Sequence, residues 1–107
     1  MDTITSVRQT GPRHYRIDGV REGTKNMIML ASISTDGVMR GWGQDFIVFD
    51  KDGYIRTFNA RGKIICAGHG CYNPQTAHFG GVGGDQFTII TRGNSIQIYD
   101  KNCKRIR

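Results

Sequence analysis

Apolar and polar positions alternate in short runs along the chain, and Gly, Asp or Asn interrupts nearly every run. Ile4, Ser6 and Arg8 lead through a turn at residues 9–12 to His14–Ile17. Asn26–Ser34 is a longer apolar run that ends at Asp36-Gly37, a dipeptide suited to a tight reversal. Val38–Trp42 leads away from that turn, and Phe46–Phe49 begins the next segment. Lys51-Asp52-Gly53 reverses into Tyr54–Phe58, and Asn59–Gly62 turns again into Lys63–Cys66. Phe87–Thr91, a turn at Arg92-Gly93-Asn94, and Ser95–Asp100 complete the series. β-Branched and aromatic residues fill these segments, as a pleated, half-buried surface favours. Thr24–Asp36 is long enough for a helix and free of Gly and Pro, yet its Ile28 and Leu30 fit a strand equally well. The pattern predicts an all-β chain of antiparallel sheets.

The pattern also echoes itself. FIVFDKDGYIRTFNARGKII (Phe46–Ile65) and FTIITRGNSIQIYDKNCKRI (Phe87–Ile106) align end to end. Phe46, Ile55, Lys63 and Ile65 recur as Phe87, Ile96, Lys104 and Ile106, and Gly43 falls on Gly84. Val48/Ile89, Phe49/Ile90, Phe58/Tyr99 and Asn59/Asp100 are conservative pairs. A fainter first copy pairs Val7 with Val48, Ile17 with Phe58 and Asp18 with Asn59. A period of roughly 41 residues belongs to arrays in which no unit buries its apolar face alone. We read residues 1–107 as one β domain of about two and a half units, with a partial unit at 1–23 and fuller ones at 24–65 and 66–107.

Asp45–Ile65 resembles a blade of propeller repeats of the WD40, NHL or quinoprotein kind. An apolar strand, an Asp-x-x-Gly turn (Asp50–Gly53), a second strand ending at Phe58-Asn59 and a short polar turn follow that order. The resemblance covers a single unit well and its neighbour loosely, and no Trp-Asp dipeptide or Gly-His pair stands in the WD40 positions. It implies propeller-like units. A propeller needs at least about four blades, so two and a half units imply completion by a homodimer of five units, or by another homo-oligomer. A β-sandwich and a trefoil-like barrel are the alternative architectures.

Fifteen Gly with only two Pro fits a turn-rich chain rather than a disordered one. No apolar run approaches the roughly 18 residues of a membrane span, and residues 1–20 lack the apolar stretch of a signal peptide. We therefore expect a cytoplasmic protein with no membrane partner. Cys66, Cys71 and Cys103 make an odd count, which argues for reduced thiols rather than a disulfide framework. The net charge of +6 suits an anionic partner. No acid lies between Asp52 and Asp85, where Arg56, Arg61 and Lys63 sit, and none follows Asp100, where Lys101, Lys104, Arg105 and Arg107 sit.

The candidate chemistry is concentrated in CAGHGCYNPQTAHFGGVGG (66–84), read as a long Gly-rich loop between strands. Cys66, His69, Cys71 and His78 are all residue types that ligate zinc, although C-x2-H-x-C-x6-H is not a standard zinc spacing. No other cofactor is indicated. Cys71 with His69 or His78 also has the composition of a nucleophile and its base, with Asn73 as the orienting group. The segment suits ligand binding better, because it places Tyr72, His78 and Phe79 on a loop over a rigid scaffold. Trp42 joins that rim, and Arg56 and Arg61 supply charge for an anionic ligand. Glu22 is the sole Glu, and Asp50 and Asp52 are placed to shape their turn, so paired-carboxylate hydrolysis is not indicated. Three function classes follow in order: a non-catalytic binding or interaction module, a basic nucleic-acid-binding domain, and a small Cys/His enzyme.

Overall fold

In the computed structural model, residues 2–107 form ten strands, and no helix occurs among these described residues. The first sheet contains β1 (Thr3–Gly11), β2 (His14–Val20) and β3 (Met27–Ser34). The second contains β4 (Val38–Trp42), β5 (Phe46–Lys51), β6 (Tyr54–Asn59) and β7 (Ile64–Gly70). The third contains β8 (Ala77–Gly83), β9 (Gln86–Thr91) and β10 (Ile96–Asp100). Every neighbour is antiparallel and consecutive in sequence, so each sheet is an open meander. The sheets are open and the described residues form no closed barrel, which sets aside the trefoil-like barrel.

Two apolar layers separate the sheets. Ile4, Val7, Tyr15, Ile17 and Ile33 of the first sheet meet Ile47, Phe49 and Phe58 of the second. Phe46, Val48 and Ile55 of the second meet Phe87, Ile89 and Tyr99 of the third. Consecutive side chains on β5 therefore enter different layers, and Phe46–Phe49 is buried on both faces. That is the physical meaning of the unbroken FIVF run: a strand covered on both sides has no polar face to show. Each such Phe or Ile removed from water contributes about 1.5–3 kcal/mol. Edge-to-face contacts of Phe49 with Tyr15 and Phe58 hold the first layer, and Phe87 stacked between Phe79 and Tyr99 holds the second.

The turns follow their sequences. Asp52 (φ 52°) and Gly53 (φ 92°) make the two-residue reversal between β5 and β6, in the left-handed region that Asp-Gly accommodates. Asp50 Oδ1 accepts the Gly53 N–H at 3.0 Å and fixes that turn. The first reversal falls at Pro12-Arg13, slightly later than the residue 9–12 turn read from the sequence, because pairing continues to Gly11 and His14.

Further differences from the sequence reading concern register, facing and element bounds. Phe46 pairs with Asn59 while Gln86 pairs with Asp100, so Gln86 rather than Phe87 takes the place of Phe46. Phe87 thus occupies the place of Ile47, and the displaced residue lies in the turn, where Arg92, Gly93 and Asn94 separate Thr91 from Ser95. Ile17 and Phe58 come from facing sheets into one layer, so they are opposite walls of an interface and not counterparts. Residues 66–84 are not one long loop. β7 runs to Gly70 and β8 starts at Ala77, leaving only residues 71–76 between them. Glycine weakens a strand but does not forbid one, especially at a sheet edge, and β7 and β8 are both edge strands. The unit boundary read at 65/66 lies inside β7.

Candidate functional site

The short connection 71–76 is tied down where the second sheet meets the third. Cys71 N–H donates to the Gly53 carbonyl at 2.9 Å, which brings Tyr72 against the β5–β6 turn. The Tyr72 hydroxyl donates to Asp50 Oδ2, and Arg40 Nε donates to the same oxygen at 3.1 Å. The Asp50 side chain is 1% exposed, so Arg40 and the two other donors replace the water it has lost. Burial, and then the Asp50 carboxylate, push the Tyr72 hydroxyl up to about 12, so it remains a donor. The Arg40 guanidinium also lies 5.7 Å from the centre of the Phe79 ring. Tyr72 and Phe79 are thus brought together, through Arg40 and Asp50.

Neither Arg40 nor Asp50 was legible in the sequence as a partner of Tyr72. The available signal was Asp50 itself, an acid directly following FIVF. The cleft here, lined by Val38, Arg40, Asp50, Tyr72 and Pro74, measures about 220 Å³. That is less than the roughly 300 Å³ at which small-molecule sites begin. With Asp50 accepting three hydrogen bonds, the cluster acts as a clasp between sheets.

The remaining predicted residues are dispersed. Trp42 packs against the layer between the first and second sheets and pairs with Ile47, so it is part of the interior wall. Arg56 donates to the Ala67 carbonyl at 2.9 Å and to Thr35 Oγ1 at 3.1 Å. Arg61 pairs with Asp2 at 3.2 Å, and Lys101 with Asp45 at 2.9 Å. Hydrogen bonds from the Glu22 N–H and from Arg61 hold the Asp2 carboxyl below its ordinary range. These three cations of the predicted basic surface therefore have partners within the fold; Lys63, Lys104, Arg105 and Arg107 are exposed.

His69 lies exposed on β7, and His78 lies exposed on β8. Cys71 is buried in the layer between the second and third sheets, and Cys66 is half-buried there. The four candidate zinc residues are not gathered, and among the described residues no three His, Cys, Asp or Glu side chains are arranged to hold a metal ion. Cys71 is packed with apolar side chains while both histidines face solvent, which does not build a nucleophile–base pair.

An exposed apolar face lies elsewhere. His78 pairs with Ile90 and Ile90 with Ile96, so all three stand on one face of the third sheet. Ile98 is on that face too, and the Ile106 N–H donates to the Ile98 carbonyl at 2.7 Å. Phe87, Ile89 and Tyr99 point the other way, into the interior. This outer face leaves Ile96 62% and Ile106 48% exposed. The first sheet has an exposed outer face as well, with Met27 65% and Met29 51% exposed; there Ser6, Arg8, Arg16 and Asp18 line a shallow groove of about 360 Å³ with Met27 and Ile28. Compared with known proteins, the chain matches no family model, no curated protein and no solved structure.

Proposed function

We propose that this chain is a non-catalytic interaction module built from propeller-like sheets, and that its partner, a second copy of itself, packs on the outer face of the third sheet. The carrying observation is the relation of Ile96 to Ile55. In the second sheet Ile55 pairs with Asp50, and in the third Ile96 pairs with Ile90, at the same place in the meander. Ile55 is fully buried beneath the third sheet, whereas Ile96 is mostly exposed. A sheet of the same kind is what covers this position when it is covered.

A backbone series supports the reading. Ile4 N–H donates to the Gln44 carbonyl at 2.8 Å, and Gln44 N–H donates to the Gly84 carbonyl at 2.9 Å. Gln44 stands midway in sequence between Ile4 and Gly84, and one link joins each sheet to the next. Repetition of one stacking geometry is how propeller-like arrays grow, with only the terminal faces left uncovered. Two copies of a three-sheet chain would bring six sheets together, rather than the five units counted from the sequence.

Molar mass by light scattering across a concentration series tests this. The expected result is a dimer that Ile96→Lys converts to a folded monomer. A wild-type chain that stays monomeric at high concentration overturns the proposal. An open-ended polymer would retain the face and discard the closed ring, because a head-to-tail contact that does not close makes a filament.

A further inference from the structure

All three cysteines of the chain meet in one place. Cys66 comes from edge strand β7, Cys71 from the connection after it, and Cys103 from the turn after β10. The sulfurs of Cys66 and Cys103 lie 3.7 and 3.8 Å from the same acceptor, the Ile55 carbonyl oxygen. Cys103 and Cys71 share one buried apolar cluster, and Cys66 packs against it. Cys71 and Cys103 are buried, and Cys66 is the one half-exposed member. The alternating pattern gave no hint of this, because Cys103 is far in sequence from the other two.

We propose that this cluster is an oxidation site in which Cys103 is the obligatory member of a single intramolecular disulfide, with Cys66 as the point of entry and Cys71 as the exchanging thiol. The oxidant is a low-molecular-weight disulfide. The Cys66 thiolate attacks one sulfur of that reagent, forming a mixed disulfide and releasing one small thiol. Cys103, having lost its proton, displaces the second small thiol and closes the Cys66–Cys103 bond. In total two S–H bonds break, one S–S bond forms, and two electrons and two protons reduce the reagent to two thiols. Cys71 can then attack Cys103 and release Cys66.

The bond would join the edge of the second sheet to the last turn of the third, so oxidation would lock the two sheets together. Burial pushes the Cys66 thiol up to about 11, and the Cys71 thiol together with burial pushes Cys103 higher still. The thiolate is the attacking form, so the reaction should be slow at neutral pH and accelerate as pH rises.

The test incubates the full chain with oxidised glutathione at pH 7 and pH 9, quenches in acid, blocks free thiols and maps the peptides by mass spectrometry. The expected product has one internal disulfide containing Cys103, forms faster at pH 9, and melts several degrees higher than the reduced chain. Cys103→Ser should stop at a glutathione adduct on Cys66, while Cys71→Ser should still close the Cys66–Cys103 bond. Mapping the wild-type chain keeps the test independent of whether a variant folds. A Cys66–Cys71 bond, or exclusively intermolecular disulfides, or no internal disulfide at either pH overturns the proposal. None of these outcomes depends on self-association, which Ile96→Lys reports separately.

Discussion

Asn59 and Asp100 hold the same turn in two different sheets. Asn59 Oδ1 accepts the N–H groups of Arg61 and Lys63 at 2.9 and 3.0 Å, and Asp100 Oδ1 accepts those of Asn102 and Lys104, both at 2.9 Å. The residue three positions on is left-handed in each case, Gly62 at φ 80° and Cys103 at φ 63°. Short oxygen-bearing side chains stabilise such turns by substituting for a backbone acceptor. Asn59→Ala and Asp100→Ala should each lower stability by about 1–2 kcal/mol, since two partly solvated bonds are lost. Asn59→Asp and Asp100→Asn should stay within about 0.5 kcal/mol of the parent, because either residue supplies the oxygen. Urea unfolding of the four variants checks both statements, and an equal loss in the exchanged pair would show that something other than the acceptor oxygen matters.

Gly53 is the tightest point of the clasp between the second and third sheets. Its φ is 92°, and a Cβ built there would come within 2.0 Å of the Tyr72 carbonyl oxygen. Gly53→Ala combines backbone strain with displacement of the 71–76 connection, and should cost about 2–3 kcal/mol. Gly81 has nothing within 4 Å of the corresponding position, so Gly81→Ala should change stability by no more than about 0.5 kcal/mol. Thermal melts of the two proteins side by side make the comparison.

Thr57 is a hydroxyl inside the core. It is fully buried, and its Oγ1 donates to the Lys101 carbonyl at 2.6 Å, joining the second sheet to the turn that ends the third. Thr57→Val keeps the shape and leaves that carbonyl without this donor, at a cost of about 1–3 kcal/mol. Thr57→Ser keeps the hydroxyl and loses one methyl, at a cost of about 1 kcal/mol. If Val proves the milder change in urea titrations, the hydroxyl does not carry the link.

How far the sequence anticipates these features depends on how local they are. Alternation and Asp-Gly turns are local, and they locate most strands, including Val38–Trp42 to the residue. Asn59 and Asp100 sit at corresponding turns, whereas Phe46 and Phe87 are out of step by one residue, since Phe46 pairs with Asn59 and Gln86 with Asp100. There the third sheet has a longer hairpin, and a slip of one residue exchanges the faces of a strand. Equal apolar character at Phe46 and Ile47 hides that exchange. Tyr72 is recognisable as a candidate, but its acceptor Asp50 and the Arg40 that shares it lie on β5 and β4, the third and fourth strands before it, and no local rule brings them together. His69 and His78 draw attention by type, yet their strands turn both to solvent.

The Tyr72–Asp50 bond makes stability depend on alkaline pH in a direction that can be worked out. Burial and the neighbouring carboxylate raise the Tyr72 hydroxyl from its ordinary value of 10.0 to about 12 in the folded chain. The folded state therefore holds this proton more tightly than the unfolded state. The stability it confers is fully present below pH 10, falls as pH rises toward 12, and is gone above that. Tyr72→Phe should lower stability at pH 7 by about 1.5–3 kcal/mol, the worth of a hydrogen bond to a charged acceptor, although Arg40 and the Gly53 N–H still satisfy Asp50. It should also flatten the decline between pH 10 and 12 relative to the parent. Other groups titrate in that window in both proteins, so the difference between the two curves isolates Tyr72. Parallel slopes across it would mean that the phenolic proton is held no more tightly in the folded chain than in the unfolded one.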